Sequence, residues 1–359
     1  MTGEPPGTSG ELDPIWQEVL SAAIAAPSPL NSQPWTVTVP RYNTLDLFID
    51  SRRLLPNTDP LSRQAHLSCG AFIENLSLAA RQNGYLPDIS LFPAGWPGDA
   101  LVTAHPVARI ELAGEGRGSA DPLFSSIFCR RTCRERFTSQ EVSPEIVNAL
   151  AGSQDQPFVA LTFAMEASFR EEMGGYLKQA ARYELADCGR LAERLSWIQV
   201  PGGRSRTTLD GYGVRELGLS RIQGWIARLN LALRCESAKT RYIRTLLIGL
   251  THRQAHSAAG YGWIATKGDQ RFDQVRAGRV YQRVCLTAAS HGLCIQPMTA
   301  ILKPYPGMEA LQERFSTLLG IPGTHTVHML FRLGYGETGK RPLRRRPVHD
   351  LVRSPGSPP

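Results

Sequence analysis

Two short stretches of this 359-residue chain concentrate residue types that bind and orient a ligand. The first is Ala26-Pro27-Ser28-Pro29-Leu30-Asn31-Ser32-Gln33-Pro34-Trp35. Prolines at 27, 29 and 34 restrict the backbone, so the Ser28 hydroxyl and the Asn31 amide are presented at small ordering cost. A side-chain amide carries donors and an acceptor together, which suits a heterocycle edge carrying both. The plainer role for the same residues is a helix-to-strand connector with Trp35 in the core. The second stretch is Arg130-Arg131-Thr132-Cys133-Arg134-Glu135-Arg136-Phe137. Four arginines and a hydroxyl form a dense set of charge-assisted donors for a phosphate dianion. A solvated basic loop is the alternative. Arg344-Arg345-Arg346-Pro347 is a third basic group, which alone amounts to a charged tail.

Other motifs fail on their mechanics. Gly334 to Lys340 imitates a phosphate-binding loop after a strand, but Arg341 stands where a hydroxyl must hold Mg²⁺ and Pro342 blocks the following helix. His252 and His256 share a helical face without a third ligand, and Cys129 and Cys133 lack a partner pair, so no metal site is expected. No Gly-x-Ser-x-Gly elbow or dinucleotide Gly-x-Gly-x-x-Gly turn occurs in the required context.

The elements that must position these residues read as α+β. Asp13-Pro14 starts a helix that Pro27 and Pro29 end. Trp35–Val39 and Leu45–Ile49 read as a hairpin, and a long helix from Asp59-Pro60 ends at Asn83-Gly84. Strands follow near Ile89–Phe92 and Val107–Leu112. Later come a short helix at 122–128, a helix from Ser143-Pro144, a strand at Phe158–Phe163 and a helical stretch over 168–195. A strand at Tyr261–Thr266, a long helix at Asp273–His291, a helix around 308–319 and a strand at Thr326–Leu333 complete the pattern. Residues 200–238 are weakly periodic and read as an irregular insertion. Gly70 and Gly278, Leu78 and Leu286, Ala80 and Ala288, and Gly84 and Gly292 all lie 208 residues apart, which points to two related half-chains. The expected organisation is a disordered 1–12, a first half at 13–113, a linker at 114–121, a second half at 122–350 and a disordered tail at 351–359.

Composition excludes several classes. With 42% hydrophobic and 20% charged residues the chain is neither wholly disordered nor, lacking an apolar run of about 18 residues, membrane-spanning. The N-terminus has no apolar signal region, and seven scattered cysteines form no disulfide framework, so a cytoplasmic protein with reduced thiols is expected. Thirty-five of the 40 cations are arginine and the net charge is +8. Most lie singly along the chain rather than in a nucleic-acid footprint, and a nucleic-acid partner is not expected.

The loop Ala26–Trp35 resembles the APSxxNxQPW signature of the nitroreductase superfamily of flavoproteins, and Arg130–Arg134 resembles its RRSxR signature, with Thr132 in place of Ser. The helix leading into Gln296-Pro297 and a terminal basic segment follow the same order, and over residues 13–352 the layout resembles the single-chain, tandem Acg-type branch. The resemblance implies an FMN-dependent fold whose two halves form a pseudo-dimer in one chain, with one complete site. It places Arg130, Arg131, Thr132 and Arg134 on the FMN phosphate and ribityl chain, with Arg344 and Arg346 closing over the phosphate. It places Gln296, Pro297 and Met298 along the isoalloxazine, and Pro27, Ser28 and Asn31 arriving from the other half. The implied activity is hydride transfer from NADPH or NADH to flavin and on to a small-molecule acceptor. A flavin-sequestering protein without turnover is the alternative. No general acid or base is identifiable, and a monomer is expected rather than an obligate homodimer.

Overall fold

The computed structural model describes residues 12–96, 98, 102–114, 116, 118–154, 156–199, 209–219, 224, 236–336 and 344–353. Helix α1 (Pro14–Ala23) begins where the Asp13 carboxylate accepts from Ile15 N, with Pro14 at the first helical position. Strands β1 (Trp35–Arg41) and β2 (Thr44–Ile49) form the expected antiparallel hairpin. Helix α2 (Arg63–Gln82) starts later than Pro60. Ser62 is left-handed (φ 52°) and folds the chain back, so Asp59 caps from outside, accepting from Gln64 N and Ala65 N, each at 3.1 Å. Strands β3 (Leu86–Leu91) and β4 (Ala108–Ala113) complete an antiparallel sheet of order β1-β2-β4-β3.

The second half repeats that plan. Helix α3 (Pro144–Ala151) precedes β5 (Val159–Ala164). Between β5 and its sheet neighbour lie α4 (Ala167–Ala186), α5 (Cys188–Ser196), the two-residue strands β6 (Ile198–Gln199) and β7 (Tyr212–Gly213), and α6 (Glu236–His256). Then come β8 (Gly260–Lys267), α7 (Arg271–Ser290), β9 (Cys294–Pro297), α8 (Glu309–Leu318) and β10 (His325–Gly334). This sheet is antiparallel with order β5-β8-β10-β9. Both sheets therefore place the third strand in sequence at the edge, and both insert a long helix between their second and third strands.

The insertion is larger than its sequence suggests. Where the first half joins β1 to β2 through Tyr42-Asn43, the second half spans residues 165–259. It includes α6, which weak periodicity concealed, and the helical stretch over 168–195 is two helices broken at the extended Asp187. The part of the expected irregular segment at 200–208, 220–223 and 225–235 lies outside the described residues, as do 337–343 of the phosphate-loop imitation and 1–11 of the N-terminal segment. Leu12 packs on the core rather than belonging to a disordered arm.

The long helices α2 and α7 pack on each other and on their own sheets, so α2 is buried on nearly every face, from Gln64 to Ala80. One backbone connection joins the C-terminal segment to the first half, and another lies within the second half. Leu351–Arg353, expected to be disordered, lies beside the edge strand β1, with Val37 N donating to Leu351 O (2.9 Å) and Arg353 N to Val37 O (2.8 Å). This docking is what carries the C-terminal arginines over to the Pro27–Pro34 loop. In turn, Cys133 N donates to Ile295 O (3.2 Å), laying the Arg130–Arg134 segment along β9.

Candidate functional site

The loop after α1 is an ordered hub. Leu30, Asn31 and Gln33 are all left-handed (φ 51°, 54° and 52°), a strained conformation held by specific bonds. Ser28 Oγ accepts from Gln33 N (2.9 Å), and Gln33 Oε1 accepts from Arg346 N (2.9 Å). Asn31 Nδ2 donates to Gly211 O (2.9 Å) and Arg344 O (3.2 Å), while Asn31 Oδ1 accepts from Arg345 (2.8 Å). The Asn31 amide is thus consumed in joining the loop, the insertion and the C-terminal segment. It does not face the cavity described below.

Arg345, between the two arginines singled out from sequence, is the one whose guanidinium joins Arg130 at the end of α1. It donates to Ala25 O (3.1 Å) and Ala26 O (3.0 Å) as well as to Asn31. Arg130 donates to the same Ala25 carbonyl (3.4 Å). Burial, reinforced by repulsion from Arg130 and Arg131, pulls the Arg345 guanidinium down to about 9. Arg131 is likewise shifted down by burial and by Arg130. Among the described residues no carboxylate pairs with Arg130 or Arg345, and the Nε–H of each is buried without an acceptor. Clustered cations with orphaned donors are a site for an anion. Arg346 has another task. It is buried, donates to Gln33 O (3.3 Å) and Asp350 O (2.7 Å), and so ties the loop to the C-terminal turn. Arg344 contributes its carbonyl.

Next to this cluster lies a cavity of ≈ 190 Å³ walled by both halves. Pro27 and Ser28 come from the first-half loop, Thr132 and Arg134 from the arginine segment, and Gln296, Pro297 and Met298 from β9 and the residue after it. Asn31, Arg130, Arg131, Arg344, Arg345 and Arg346 are not among its lining residues. The insertion supplies an apolar wall of Leu177, Ala181, Leu217, Leu247 and Leu250.

Part of the polar wall, Tyr212, Glu184 and Gln254, was not foreseen. Arg134 lies over the Tyr212 ring, 4.8 Å from its centroid. Glu184 accepts from Arg194 (2.8 Å), Lys303 (3.1 Å) and the Tyr305 hydroxyl (3.2 Å). Burial alone would raise its carboxyl, but the Lys303 and Arg194 charges outweigh burial and hold it at about 2, so it is an anion rather than a proton donor at neutral pH. Gln254 Nε2 donates to Arg134 O (2.7 Å) and Leu217 O (3.2 Å), and its Oε1 accepts from Gln296 Nε2 (2.9 Å). No spacing rule reaches Gln254 or Glu184, because both sit in the long insertion. Arg345 was within reach: neighbouring side chains in an extended segment point opposite ways, so one parity of the Arg344–Arg346 run had to be chosen. His252 and His256 meet edge-on with Nε2 atoms 3.0 Å apart, and among the described residues no group of three His, Cys, Asp or Glu side chains is placed to hold a metal. No helix of the described residues is long and apolar enough to cross a membrane.

Comparison with known proteins follows this geometry. A sequence model of the nitroreductase family matches residues 217–335. The chain is 25% identical over 355 residues to a Mycobacterium tuberculosis protein provisionally named NAD(P)H nitroreductase acg, covering 96% of this chain and 97% of that one. A second protein of that organism, Rv3131, with the same provisional activity in its name, is 26% identical over 339 residues, covering 93% and 88%. Among solved structures, the FMN-dependent nitroreductase NfnB of Mycobacterium smegmatis in complex with NADPH aligns over 64% of this chain and 95% of that one, at 15% identity and a TM-score of 0.40, a likeness too slight to carry an argument.

Proposed function

We propose that this chain, which belongs to the nitroreductase superfamily and its Acg-like branch, is an FMN-dependent oxidoreductase that passes a hydride from NADPH or NADH to a small organic acceptor. The observation carrying this reading is the anion site: Arg130 and Arg345, each with a buried Nε–H that lacks an acceptor and, among the described residues, with no paired carboxylate, gather with Arg131 beside a cavity lined by Thr132, Arg134, Gln296–Met298 and Pro27–Ser28. Orphaned, buried guanidinium donors suit the phosphate of FMN, and the layered apolar and amide lining suits a flat ring.

Arg130 and Arg345 would hold the phosphate through their free Nε–H groups, with Arg131 adding charge. The Thr132 hydroxyl and the Arg134 side chain would meet the ribityl chain. Gln296 would offer a donor to the ring edge, and Pro297 and Met298 a flat apolar contact. Ser28 already accepts from Gln33 N, so its O–H remains as a donor toward the cavity. Bound flavin supplies the hydride acceptor and donor; the protein binds it, orients it and sets its electrostatics. The insertion's Leu177, Leu247 and Leu250 exclude water from the same space. Donor and acceptor would use that space in turn, a ping-pong order. Both sheets lie in one chain, so we propose a monomer.

The test is to load the purified protein with FMN and mix it anaerobically with NADPH or NADH. Rapid loss of flavin absorbance is expected. A stoichiometric flavin that stays oxidised under both donors would make the protein a flavin binder without turnover, the outcome the covering insertion favours as the second reading.

A further inference from the structure

Arg332, on β10, is fully buried, and every one of its five N–H donors is satisfied by an uncharged acceptor. Nε donates to Gln296 Oε1 (2.7 Å). One terminal nitrogen donates to Gln254 O (2.7 Å) and Ser257 Oγ (2.8 Å), the other to Cys133 O (3.4 Å) and Glu135 O (2.6 Å). Its guanidinium carbon lies 3.7 Å from the centroid of the Phe137 ring. No carboxylate of the described residues pairs with it. The titratable groups facing it are the Cys133 and Cys294 thiols and the Tyr261 phenol. Burial lowers the guanidinium to about 10, so it keeps its charge at neutral pH.

This arrangement fixes which end of Gln296 meets the cavity. The amide oxygen is taken by Arg332, and one amide N–H by Gln254 Oε1. The remaining N–H is what Gln296, a cavity residue, can give a ligand. A ligand atom placed there must be an acceptor, and the hydrogen bond it receives is polarised by an uncompensated positive charge one residue behind.

We infer that Arg332 is a positioning residue that locks Gln296 as a donor and delivers positive potential to the flavin ring, making the bound cofactor easier to reduce. The inference rests on the proposed FMN site and adds to it a named source of the potential. Reduction places negative charge on the ring, and a buried cation without a counterion favours the charged form. None of the residues that carried the family resemblance includes Arg332.

The experiment is a spectroscopic redox titration of FMN bound to wild type, Gln296→Glu and Arg332→Met. Gln296→Glu keeps the side-chain shape and sets a carboxylate against Arg332, cancelling its charge, while giving up the bond that Gln296 Nε2 donates to Gln254 Oε1. Both variants are expected to shift the two-electron midpoint potential to more negative values. Should Arg332→Met fail to fold, because it orphans five acceptors, Gln296→Glu carries the test alone. Flavin bound to Gln296→Glu at the wild-type potential overturns the inference and leaves the FMN reading standing. Wild-type protein that takes up no FMN overturns that reading, and the inference with it.

Discussion

Gly70 and Gly278 make the same contact from opposite sides of one helix crossing. A Cβ on Gly70 would land inside the carbonyl oxygen of Val275, and a Cβ on Gly278 inside that of Leu67. Gly278 lies as far from Gly70 along the chain as Val275 does from Leu67, so the two halves meet about a pseudo-twofold at this point. The obstructing atoms are backbone, which cannot rotate aside. Gly70→Ala or Gly278→Ala must therefore push α2 and α7 apart, and a loss of about 3 kcal/mol is expected in chemical denaturation. Gly249→Ala, in α6 with nothing within 4 Å of the new methyl, is expected to gain about 0.5–1 kcal/mol instead. Equal effects at the two kinds of site would show that the crossing is looser than described.

The same crossing carries a cross-half ion network. Glu74 is buried and accepts from Arg279 (2.8 Å) and Arg283 (2.8 Å), and Arg283 also reaches Asp121 (2.9 Å). Removing the central carboxylate leaves two partly buried cations facing each other. Glu74→Ala is expected to cost about 3–5 kcal/mol, and replacing Arg279 alone to cost less, because Arg283 still compensates Glu74. Equilibrium unfolding of both variants decides the order.

The neighbouring arginines 345 and 346 are expected to fail differently. Arg345→Ala should weaken FMN, with each lost charge-assisted bond worth about 1.5–3 kcal/mol, or roughly a tenfold to hundredfold rise in Kd, and should also lower the melting temperature, because its bonds to Ala25 O, Ala26 O and Asn31 go with it. Arg346→Ala removes the tie from the Gln33 loop to the C-terminal turn, so it should lower thermal stability first. Cys133→Ser should leave FMN affinity unchanged. Flavin fluorescence titration beside a thermal melt separates these outcomes; undiminished affinity in Arg130→Ala with Arg345→Ala would mean the phosphate lies elsewhere.

Acid sensitivity follows from Glu184. Its carboxyl sits at about 2 in the folded protein against an ordinary 4.5, since the Lys303 and Arg194 charges outweigh the opposing effect of burial. A depressed carboxyl stabilises the fold fully above its unfolded value, and that stability is lost as pH falls from about 4.5 through about 2. The contribution is at most about 3 kcal/mol. Glu184→Gln should accordingly be less stable than wild type at pH 7 and converge with it near pH 2. Curves that stay parallel over that range would remove Glu184 from the acid transition.

The parts of the site legible in the sequence were those carried by local chemistry. Proline spacing stiffened the loop at 27–34, arginine density marked 130–134, and glycines after long helices marked both helix ends, where Gly84 and Gly292 are indeed left-handed (φ 82° and 69°). The repeat was visible because the helix crossing demands a glycine at one depth in each half. Asn31 shows the limit. Its type promised a ligand contact, but the amide is satisfied by Gly211, Arg344 and Arg345, residues remote in sequence.

What the sequence determined by itself, then, was the set of elements and the two cationic and amide-rich segments, because propensity, capping and local charge act over a few residues. Tertiary structure alone decided which of those groups remain free. It docked Leu351–Arg353 on β1 and so set Arg345 beside Arg130, and it brought Glu184 and Gln254 from the insertion to the cavity. It also buried Arg332 behind Gln296 with only uncharged acceptors around it. Hydrogen-bond satisfaction and desolvation depend on partners far away in the chain, and those partners exist only once the two halves have closed on each other.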